Sequence, residues 1–224
     1  MDFELLKDVD KEVWLADGIR KNSVKREPET VHWCKRLKKG VFYDIGANIG
    51  AYSLIASKWN KELQVFAFEP MIRNFWLLNE NVIKNELENN LHIFNIPLSK
   101  TSGLGDFNIM NIGYGKSGHA FGNSIDWTGK KFNAVSSNKM LALSINDLVN
   151  IYKFPKPNYI KLDVDGIEFE ILKGATDVFD TLKEILFEAS IDSKHINNFL
   201  KTYDYNLVKI FKHRHTNNYL FRKQ

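Results

Sequence analysis

The stretch Val41-Phe42-Tyr43-Asp44-Ile45-Gly46-Ala47-Asn48-Ile49-Gly50-Ala51 decides the fold. Its first five residues form a short, mainly apolar run that is rich in strand formers and ends at a glycine, which predicts a buried parallel β-strand. Gly46 and Gly50 allow a sharp turn and a close approach of the backbone to a ligand. A helix predicted from Ala51 to Trp59 would present free N–H groups at this turn, where an anionic group can bind. The stretch therefore predicts a strand, a glycine bend and a helix, arranged around a ligand.

Strands and helices alternate along the rest of the chain, which is typical of βαβ units in a mostly parallel sheet. Strands are predicted at 41–45, 63–68, 91–96, 159–163 and 184–188, and helices at 27–37, 51–59, 74–85, 144–152, 167–179 and 195–203. Two closing strands at 207–211 and 218–221, joined by a polar turn, suggest an antiparallel hairpin. The prediction is an α/β fold with a mostly parallel seven-stranded sheet and an antiparallel C-terminal hairpin at its edge.

The predicted domain covers residues 27–224, and residues 1–26 are expected to form an N-terminal extension or cap. The stretch 101–140 breaks the alternation, because it is rich in Gly, Asn and Ser. A short strand is predicted at 105–110, and the rest is expected to be a long loop. Long loops within compact domains are usually functional. Loop aromatic residues such as Tyr114 are therefore candidates for stacking on a substrate, and packing in the core explains them equally well.

The chain has 224 residues and a formal net charge of +4. Its composition is that of an ordinary globular protein. That charge permits an anionic partner without demanding one. The single cysteine, Cys34, excludes an internal disulfide framework and a cysteine-rich zinc site. No run approaches the ~18 apolar residues of a membrane span, and the N-terminus lacks a secretory signal pattern. We expect a cytoplasmic protein without a membrane span.

Glu69 follows the predicted second strand, ~20 residues beyond the glycines, where a carboxylate can pair with the two hydroxyls of a ribose. Asp44, Gly46 and Gly50 have the spacing acidic-x-Gly-x-x-x-Gly, which differs from the G-x-G-x-x-G pattern of dinucleotide-binding proteins. This spacing suits a ligand that carries an amino acid rather than a pyrophosphate. A purely structural glycine turn followed by a solvated acid before Pro70 is the alternative. Together the two features indicate a nucleoside ligand.

Acidic side chains also end the later strands. Asp163 ends the predicted strand 159–163, and we expect it to point into the crevice near the reacting centre. Asp165 and Glu168 have the spacing of a capping box, and both are also candidates for substrate binding. Glu188 closes the strand 184–188, within reach of the same crevice.

Four runs resemble the FkbM family of methyltransferases: ETVHWCKRLKKGVFYDIGANIGAYSLIA, VFAFEP, LSINDLV and PNYIKLDVDGIEFEILKGA. The resemblance covers roughly residues 27–188. It implies a Rossmann-like class I methyltransferase fold, S-adenosylmethionine as cofactor, and O-methylation of acceptors that are often sugars of polysaccharides or natural products.

The resemblance also implies roles for individual residues. Those implied to bind the cofactor are Asp44, Gly46, Asn48 and Gly50 around the methionyl part and the ribose, Glu69 with Pro70 at the ribose hydroxyls, Leu98-Ser99 near the adenine, and Asp163. Asn123-Ser124 resembles a small polar motif in a variable loop that borders the active site. Many relatives have a histidine shortly after the strand-five acid, where this chain has Ala189-Ser190, so another group would have to replace it.

Methyl transfer requires the acceptor oxygen about 3 Å from the methyl carbon, in line with the leaving sulfur, and a base assists a weakly nucleophilic hydroxyl. Asp163 is the first candidate for this base, followed by Glu188 and by His119, for which a solvent-exposed loop position is the alternative. Lys161 is a candidate for orienting a carboxylate. Asp163, Asp165 and Glu188 have oxygen ligands suited to Mg²⁺ or Ca²⁺, but nothing in the sequence requires a metal, and no metal ligand is assigned.

Three other functions remain open. The net positive charge would fit a ribose 2′-O-methyltransferase of RNA. However, the central part of the sequence has no dense stripe of Lys and Arg residues, so nucleic acid is not the expected partner. A non-catalytic partner subunit would have no need of Asp44, Glu69 and Asp163. An NAD-dependent oxidoreductase is disfavoured by the glycine spacing. The expected partner is a carbohydrate or another hydroxyl-bearing molecule; its identity and the oligomeric state stay open.

Overall fold

The computed structural model describes residues 23–126, 128–189 and 194–224. These residues form two compact units, the first within 1–95 and 113–116, the second within 96–112 and 117–224. Among the described residues, seven strands form the main sheet, three from the first unit and four from the second, and three more strands form a smaller sheet. The predicted seven-stranded α/β fold is confirmed. The predicted extension lies mostly outside the described residues, and the domain boundary at residue 27 stays a prediction.

The first unit contains three parallel strands in the order β3-β2-β1, with helices that follow the strands in the sequence. Its elements are α1 Ser23–Arg26, α2 Pro28–Arg36, β1 Gly40–Ile45, α3 Ala51–Trp59, β2 Leu63–Phe68, α4 Ile72–Lys84 and β3 Leu91–Phe94. The last four residues of β1 are buried, as expected for a strand covered on both faces. The bounds of α3 and β2 are those predicted from the sequence.

The second unit contributes four strands to the main sheet, in the order β7-β8-β10-β9. Its elements are β4 Gly103–Ile109, β5 Ala120–Phe121, β6 Ser136–Ala142, α5 Ile145–Asn150, β7 Tyr159–Leu162, α6 Glu168–Lys173, a 3₁₀ turn Thr176–Val178, β8 Glu184–Ala189, α7 Lys194–Lys201, β9 Tyr205–Lys212 and β10 Asn217–Lys223. Strands β7 and β8 are parallel, whereas β10 runs antiparallel to both β8 and β9. The predicted C-terminal hairpin is therefore confirmed.

The prediction of one long loop over 111–140 is wrong in two places, because β5 lies within it and β6 lies at its end. Residues Ser136–Ala142 form strand β6, which pairs antiparallel with β4 along its whole length, from Ser136 opposite Ile109 to Ala142 opposite Gly103. Its side chains are mostly exposed, so it has no hydrophobic alternation from which a strand could be predicted. The strand forms because β4 offers a complete row of backbone partners.

One predicted helix is interrupted, and another begins at its predicted cap. The helix expected over 167–179 ends at Lys173, and a 3₁₀ turn follows at Thr176–Val178. Helix α5 begins after Ser144 as predicted, and the Ser144 hydroxyl accepts a hydrogen bond from the Asp147 N–H at 3.0 Å. Within the described residues, none of the helices combines the length and apolar character that crossing a membrane requires.

Candidate functional site

The glycine bend follows β1 in the first unit. Gly46, Asn48 and Gly50 have φ values of 80°, 52° and 84°, in the left-handed region. The N–H groups of Gly46 and Ala47 both donate to the carbonyl of Phe68, at the end of β2, which holds the bend against the neighbouring strand. A Cβ at Gly50 would overlap the side chain of Leu78, so this position needs glycine for space as well as for backbone conformation.

Glu69 lies directly against this bend. It is 5% exposed, its Oε2 accepts a hydrogen bond from the Asn48 N–H at 2.8 Å, and its Oε1 accepts one from the Met71 N–H at 2.9 Å. The Asn95 amide donates to the carbonyls of Glu69 and Pro70, which fixes the chain after β2. Gly46, Asn48, Gly50 and Glu69 thus form one cluster, which we call the glycine-bend cluster.

Asp44 is buried below the cluster rather than exposed within it. It has no solvent-exposed surface, and its Oδ2 accepts a hydrogen bond from the Ser53 hydroxyl at 2.5 Å. Because Ser53 lies in α3, this bond joins the end of β1 to the helix that follows the bend. In this arrangement Asp44 holds the shape of the bend.

A segment of the long insertion is attached to the same cluster. Asn74 in α4 is 1% exposed; its Oδ1 accepts from the Gly115 N–H at 2.8 Å and its Nδ2 donates to the Lys116 carbonyl at 2.9 Å. The side chain of Asn48 donates to the same carbonyl at 3.1 Å. Tyr114 therefore lies in a segment fixed to the glycine bend, and this residue is 47% exposed. Sequence reasoning missed Asn74, because its partners lie about 40 residues away in a loop.

The second unit holds the other predicted residues. Leu98 is buried and pairs with Leu143 in an isolated bridge, and the Ser99 N–H donates to the Leu143 carbonyl at 3.0 Å. Their backbone groups are thus engaged in local structure of the second unit, whereas the glycine-bend cluster belongs to the first.

Lys161 and Asp163 form an ion pair at the end of β7. The Lys161 Nζ lies 3.1 Å from the Asp163 Oδ2, and their side chains are 4% and 28% exposed. A buried ammonium requires a partner, so this pair restrains the orientation of the Asp163 carboxylate. The predicted role of Lys161 in orienting a carboxylate for catalysis stays a prediction.

The turn after Asp163 is held by two further acids, but not as the predicted capping box. Asp165 has a φ of 61° and accepts a hydrogen bond from the Gly118 N–H at 2.6 Å, which ties the turn to the insertion. Glu168 accepts from the N–H groups of Val164 and Gly166 at 3.3 and 3.2 Å. The helix cap is Ile167, without a side-chain bond, because Asp165 turns away towards Gly118.

Burial raises the pKa of Glu168 from 4.5 to about 7, and the nearby Asp163 charge adds to this, against the opposing effect of the backbone N–H groups. Glu168 is therefore a buried carboxyl that titrates near neutral pH, under the turn that follows Asp163.

The remaining candidates lie elsewhere in the second unit. Glu188 accepts a hydrogen bond from the hydroxyl of Thr216, in the turn of the C-terminal hairpin. His119 is half-buried rather than solvent-exposed, and its Nδ1 accepts from the Met110 N–H at 3.3 Å. Asn123 and Ser124 follow β5 in a turn closed by a bond from the Phe132 N–H to the Ser124 carbonyl. Over the described ranges, no three His, Cys, Asp or Glu side chains are grouped to hold a metal ion.

Comparison with known proteins identifies the family. A sequence model described as "Methyltransferase FkbM domain" matches residues 44–207, which is most of the chain and runs from the end of β1 to the start of β9. The chain belongs to the FkbM methyltransferase family. The match begins at Asp44, so the glycine bend and Glu69 of this FkbM domain lie inside it.

A relative of this FkbM protein is the hexuronic acid methyltransferase AglP of Haloferax volcanii. It is 30% identical over 162 residues, which are 71% of this chain and 61% of AglP. The chain thus spans under two thirds of the length of that relative.

Solved structures show the fold of the FkbM protein. The precorrin-6y C5,15-methyltransferase of Geobacter metallireducens superposes with a TM-score of 0.55 at 16% identity, covering 96% of this chain and 95% of that one. TrmK of M. capricolum, solved with S-adenosylhomocysteine, superposes with a TM-score of 0.50 at 10% identity, covering 87% and 67%. At these identities the likeness shows a common Rossmann-like methyltransferase fold.

Proposed function

We propose that this FkbM protein is an S-adenosylmethionine-dependent O-methyltransferase that methylates a sugar hydroxyl. The observation that carries the proposal is the direct hydrogen bond between Glu69 and the backbone of Asn48, inside the glycine bend. A carboxylate held against a bend of this kind is suited to bind an adenosyl group whose amino-acid end reaches the bend.

The residues of the glycine-bend cluster fit such a ligand. Glu69 is fixed by two backbone N–H groups, and a carboxylate held at the end of the second strand is suited to the hydroxyls of a ribose. Asn48 Oδ1 is buried and has no hydrogen-bond partner among the described residues. A buried acceptor left unsatisfied costs about 1–3 kcal/mol, so a ligand donor at this atom would stabilise the complex. Helix α3 begins at the bend with no side-chain cap, and the N-terminus of a helix favours an anionic group such as a carboxylate.

The acceptor is proposed to react beside Asp163. S-adenosylmethionine, when bound, supplies a methyl group on a positively charged sulfur. Lys161 holds Asp163 in one orientation at 3.1 Å, and the Asp163 carboxylate accepts the proton of the sugar hydroxyl as that oxygen attacks. Glu168 holds the N–H groups of the turn after Asp163, and so keeps the carboxylate in place.

We favour Asp163 over Glu188 and His119 as the base. Glu188 accepts a hydrogen bond from the Thr216 hydroxyl, in the turn of the C-terminal hairpin, and Nδ1 of the half-buried His119 accepts one from the Met110 N–H. Asp163 is partly exposed at a strand end, where a substrate can reach it.

A sugar acceptor is supported by the relative. AglP is named a hexuronic acid methyltransferase, so a relative with 30% identity acts on a sugar. We propose the same class of acceptor for this chain and leave the methylated hydroxyl to experiment.

The test combines cofactor binding with methyl transfer. Calorimetry should detect S-adenosylmethionine and S-adenosylhomocysteine but not NAD, and Glu69→Ala should weaken both by about tenfold or more. Labelled methyl transfer should then be measured on uronic-acid oligosaccharides, neutral glycans and short RNAs. Transfer to RNA alone, or binding of NAD in place of the sulfonium cofactor, would refute the proposal.

The role of Asp163 has a matched control. Asp163→Asn should lower kcat by about 10²- to 10⁴-fold while cofactor binding stays unchanged. Asp180 forms a similar ion pair with Lys156 at 3.0 Å but lies on the surface, so Asp180→Asn should leave kcat unchanged. Equal turnover of both variants would remove Asp163 from the mechanism.

A further inference from the structure

Helix α4 buries two asparagine amides against the backbone of other segments. Asn74 and Asn81 are 1% and 0% exposed, and they lie about two helical turns apart, so they share one face of the helix. The Asn81 Nδ2 donates to the carbonyl of Ile49, inside the glycine bend, at 2.7 Å. Burying an amide is unfavourable unless it is hydrogen-bonded, and both side chains bond main-chain atoms outside their own helix. This face of α4 therefore supports the bend as well as packing the core.

The two ends of the Asn74 amide have different partners. Its Oδ1 accepts from the Gly115 N–H at 2.8 Å, and its Nδ2 donates to the Lys116 carbonyl at 2.9 Å. Because an N–H only donates and a carbonyl only accepts, the amide fits in one orientation. Asn74 thus fixes the position of the Lys116 carbonyl oxygen.

The same carbonyl orients the side chain of Asn48. The Asn48 Nδ2 donates to it at 3.1 Å, and because a carbonyl only accepts, the amide nitrogen must be the end that meets Lys116. The other end, Oδ1, is buried and has no hydrogen-bond partner among the residues that the structure describes. The backbone of Asn48 is held separately, since its N–H donates to Glu69. Asn48 is therefore fixed within the glycine-bend cluster with one buried acceptor unused.

We propose that Asn74 is a positioning residue for the methyl donor, and that it acts through the Lys116 carbonyl on Asn48, whose Oδ1 accepts a hydrogen bond from the donor's ammonium group. This inference rests on the proposed function and specifies how the cofactor is held. The proposed function assigns Glu69 to the ribose hydroxyls and the start of α3 to the carboxylate, so the ammonium is the charged donor of the ligand that remains. A hydrogen bond to a charged group contributes more than one between neutral groups.

A purely structural role for Asn74 predicts a different outcome. If Asn74 only stabilised the fold, its loss would add to the loss of the Asn48 side chain and would weaken every adenosyl ligand alike. If Asn74 acts through Asn48, the two losses are not additive, because residues in one hydrogen-bond network are energetically coupled. Ligands without an ammonium group are then little affected.

Calorimetry on the full chain with S-adenosylhomocysteine tests this by a double-mutant cycle. Asn48→Gly removes the acceptor, and glycine accommodates the φ of 52° at this position. Asn74→Ala removes the donor to the Lys116 carbonyl without adding a charge. Each variant should weaken binding about tenfold, and the double variant should bind no more weakly than Asn48→Gly alone. Asn74→Ser, whose side chain is too short to bond both partners, is a second variant that should give the same result.

A second ligand identifies the group that Asn48 contacts. It is S-adenosylhomocysteine with its amino group replaced by hydrogen, which keeps the carboxylate, the ribose and the adenine. The wild type should bind this analogue about tenfold more weakly than S-adenosylhomocysteine. In Asn48→Gly and in Asn74→Ala the two ligands should bind with similar affinity, because the analogue has no ammonium to lose.

The chain offers a matched control in Asn90. This residue is 5% exposed in the same unit, and its amide also bonds backbone carbonyls, those of Ser57 and Leu63 at 3.0 and 3.3 Å. Asn90→Ala should leave the affinity for both ligands unchanged, and circular dichroism should show that all variants are folded.

Several results would overturn the inference. They are additive losses in the double variant, unchanged binding in Asn74→Ala, equal loss in Asn90→Ala, or equal binding of the two ligands by the wild type. A wild-type protein that binds S-adenosylhomocysteine but gives any of these results would refute this inference alone. A wild-type protein that does not bind S-adenosylhomocysteine would refute the proposed function.

Discussion

Glu168→Gln should make the protein more stable at alkaline pH relative to the wild type, and this effect should vanish in acid. Burial raises the pKa of the folded carboxyl to about 7 from an ordinary value of 4.5. Between these two pH values the folded state binds more protons than the unfolded state, so stability falls as pH rises. The stabilising contribution is complete below about pH 4.5 and is lost as pH rises through about 7. Glutamine does not titrate, and its amide oxygen can still accept the N–H groups of Val164 and Gly166.

The expected magnitude follows from the difference between the two pKa values. At about 1.4 kcal/mol per pH unit, this difference amounts to about 3 kcal/mol of unfolding free energy. The advantage of Glu168→Gln over the wild type should therefore grow by about 3 kcal/mol between pH 4.5 and pH 8. For a chain of this length that corresponds to roughly 6–12 °C in Tm.

Urea denaturation of both proteins at several pH values measures this difference, because the other titrating groups cancel between them. Glu170→Gln is the control, since Glu170 lies on the same helix but is 46% exposed beside Lys173. The change between pH 4.5 and pH 8 should be larger for Glu168→Gln than for Glu170→Gln. A constant difference for Glu168→Gln over the same range would show that this carboxyl is not the buried acid described above.

Two further substitutions test the geometry of the first unit. Gly50→Ala should cost roughly 1–3 kcal/mol of unfolding free energy, because Gly50 has a positive φ and the new methyl group would overlap the side chain of Leu78. Gly103→Ala is the control: a Cβ at Gly103 meets no atom within 4 Å, so this substitution should change the urea midpoint little. Asn74→Asp removes the donor to the Lys116 carbonyl and should raise the rate of tryptic cleavage after Lys116 by about tenfold. Asn90 donates in the same way to two backbone carbonyls elsewhere in the unit, so equally fast cleavage in Asn90→Asp would contradict a specific role for Asn74.

Prediction from the sequence succeeded where the information is local. The run from Val41 to Ala51 contains its own strand pattern, turn glycines and helix start, and the structure has β1, the bend and α3 there. Ser144 acts as the predicted helix cap because a cap depends only on the next three residues. Glu69 could be placed near the bend because the ends of neighbouring parallel strands meet at one edge of a sheet.

Prediction failed where a partner lies far along the chain. Strand β6 could not be recognised, because Ser136-Ser137-Asn138-Lys139 has neither strand-forming side chains nor alternation, and its formation depends on β4 about 30 residues earlier. Asp165 has the spacing of a cap, yet it accepts from Gly118, which lies in the insertion.

The sequence by itself determined the α/β class, the family and the acids at the strand ends, because each of these can be recognised from short patterns of residue types. Only the tertiary structure decided which of these groups touch. Asn74 holds Tyr114 beside Trp76, and Glu168 is buried beneath the turn after Asp163. Such contacts depend on how distant segments pack, and packing sets both the position of a side chain and the solvation that determines its pKa.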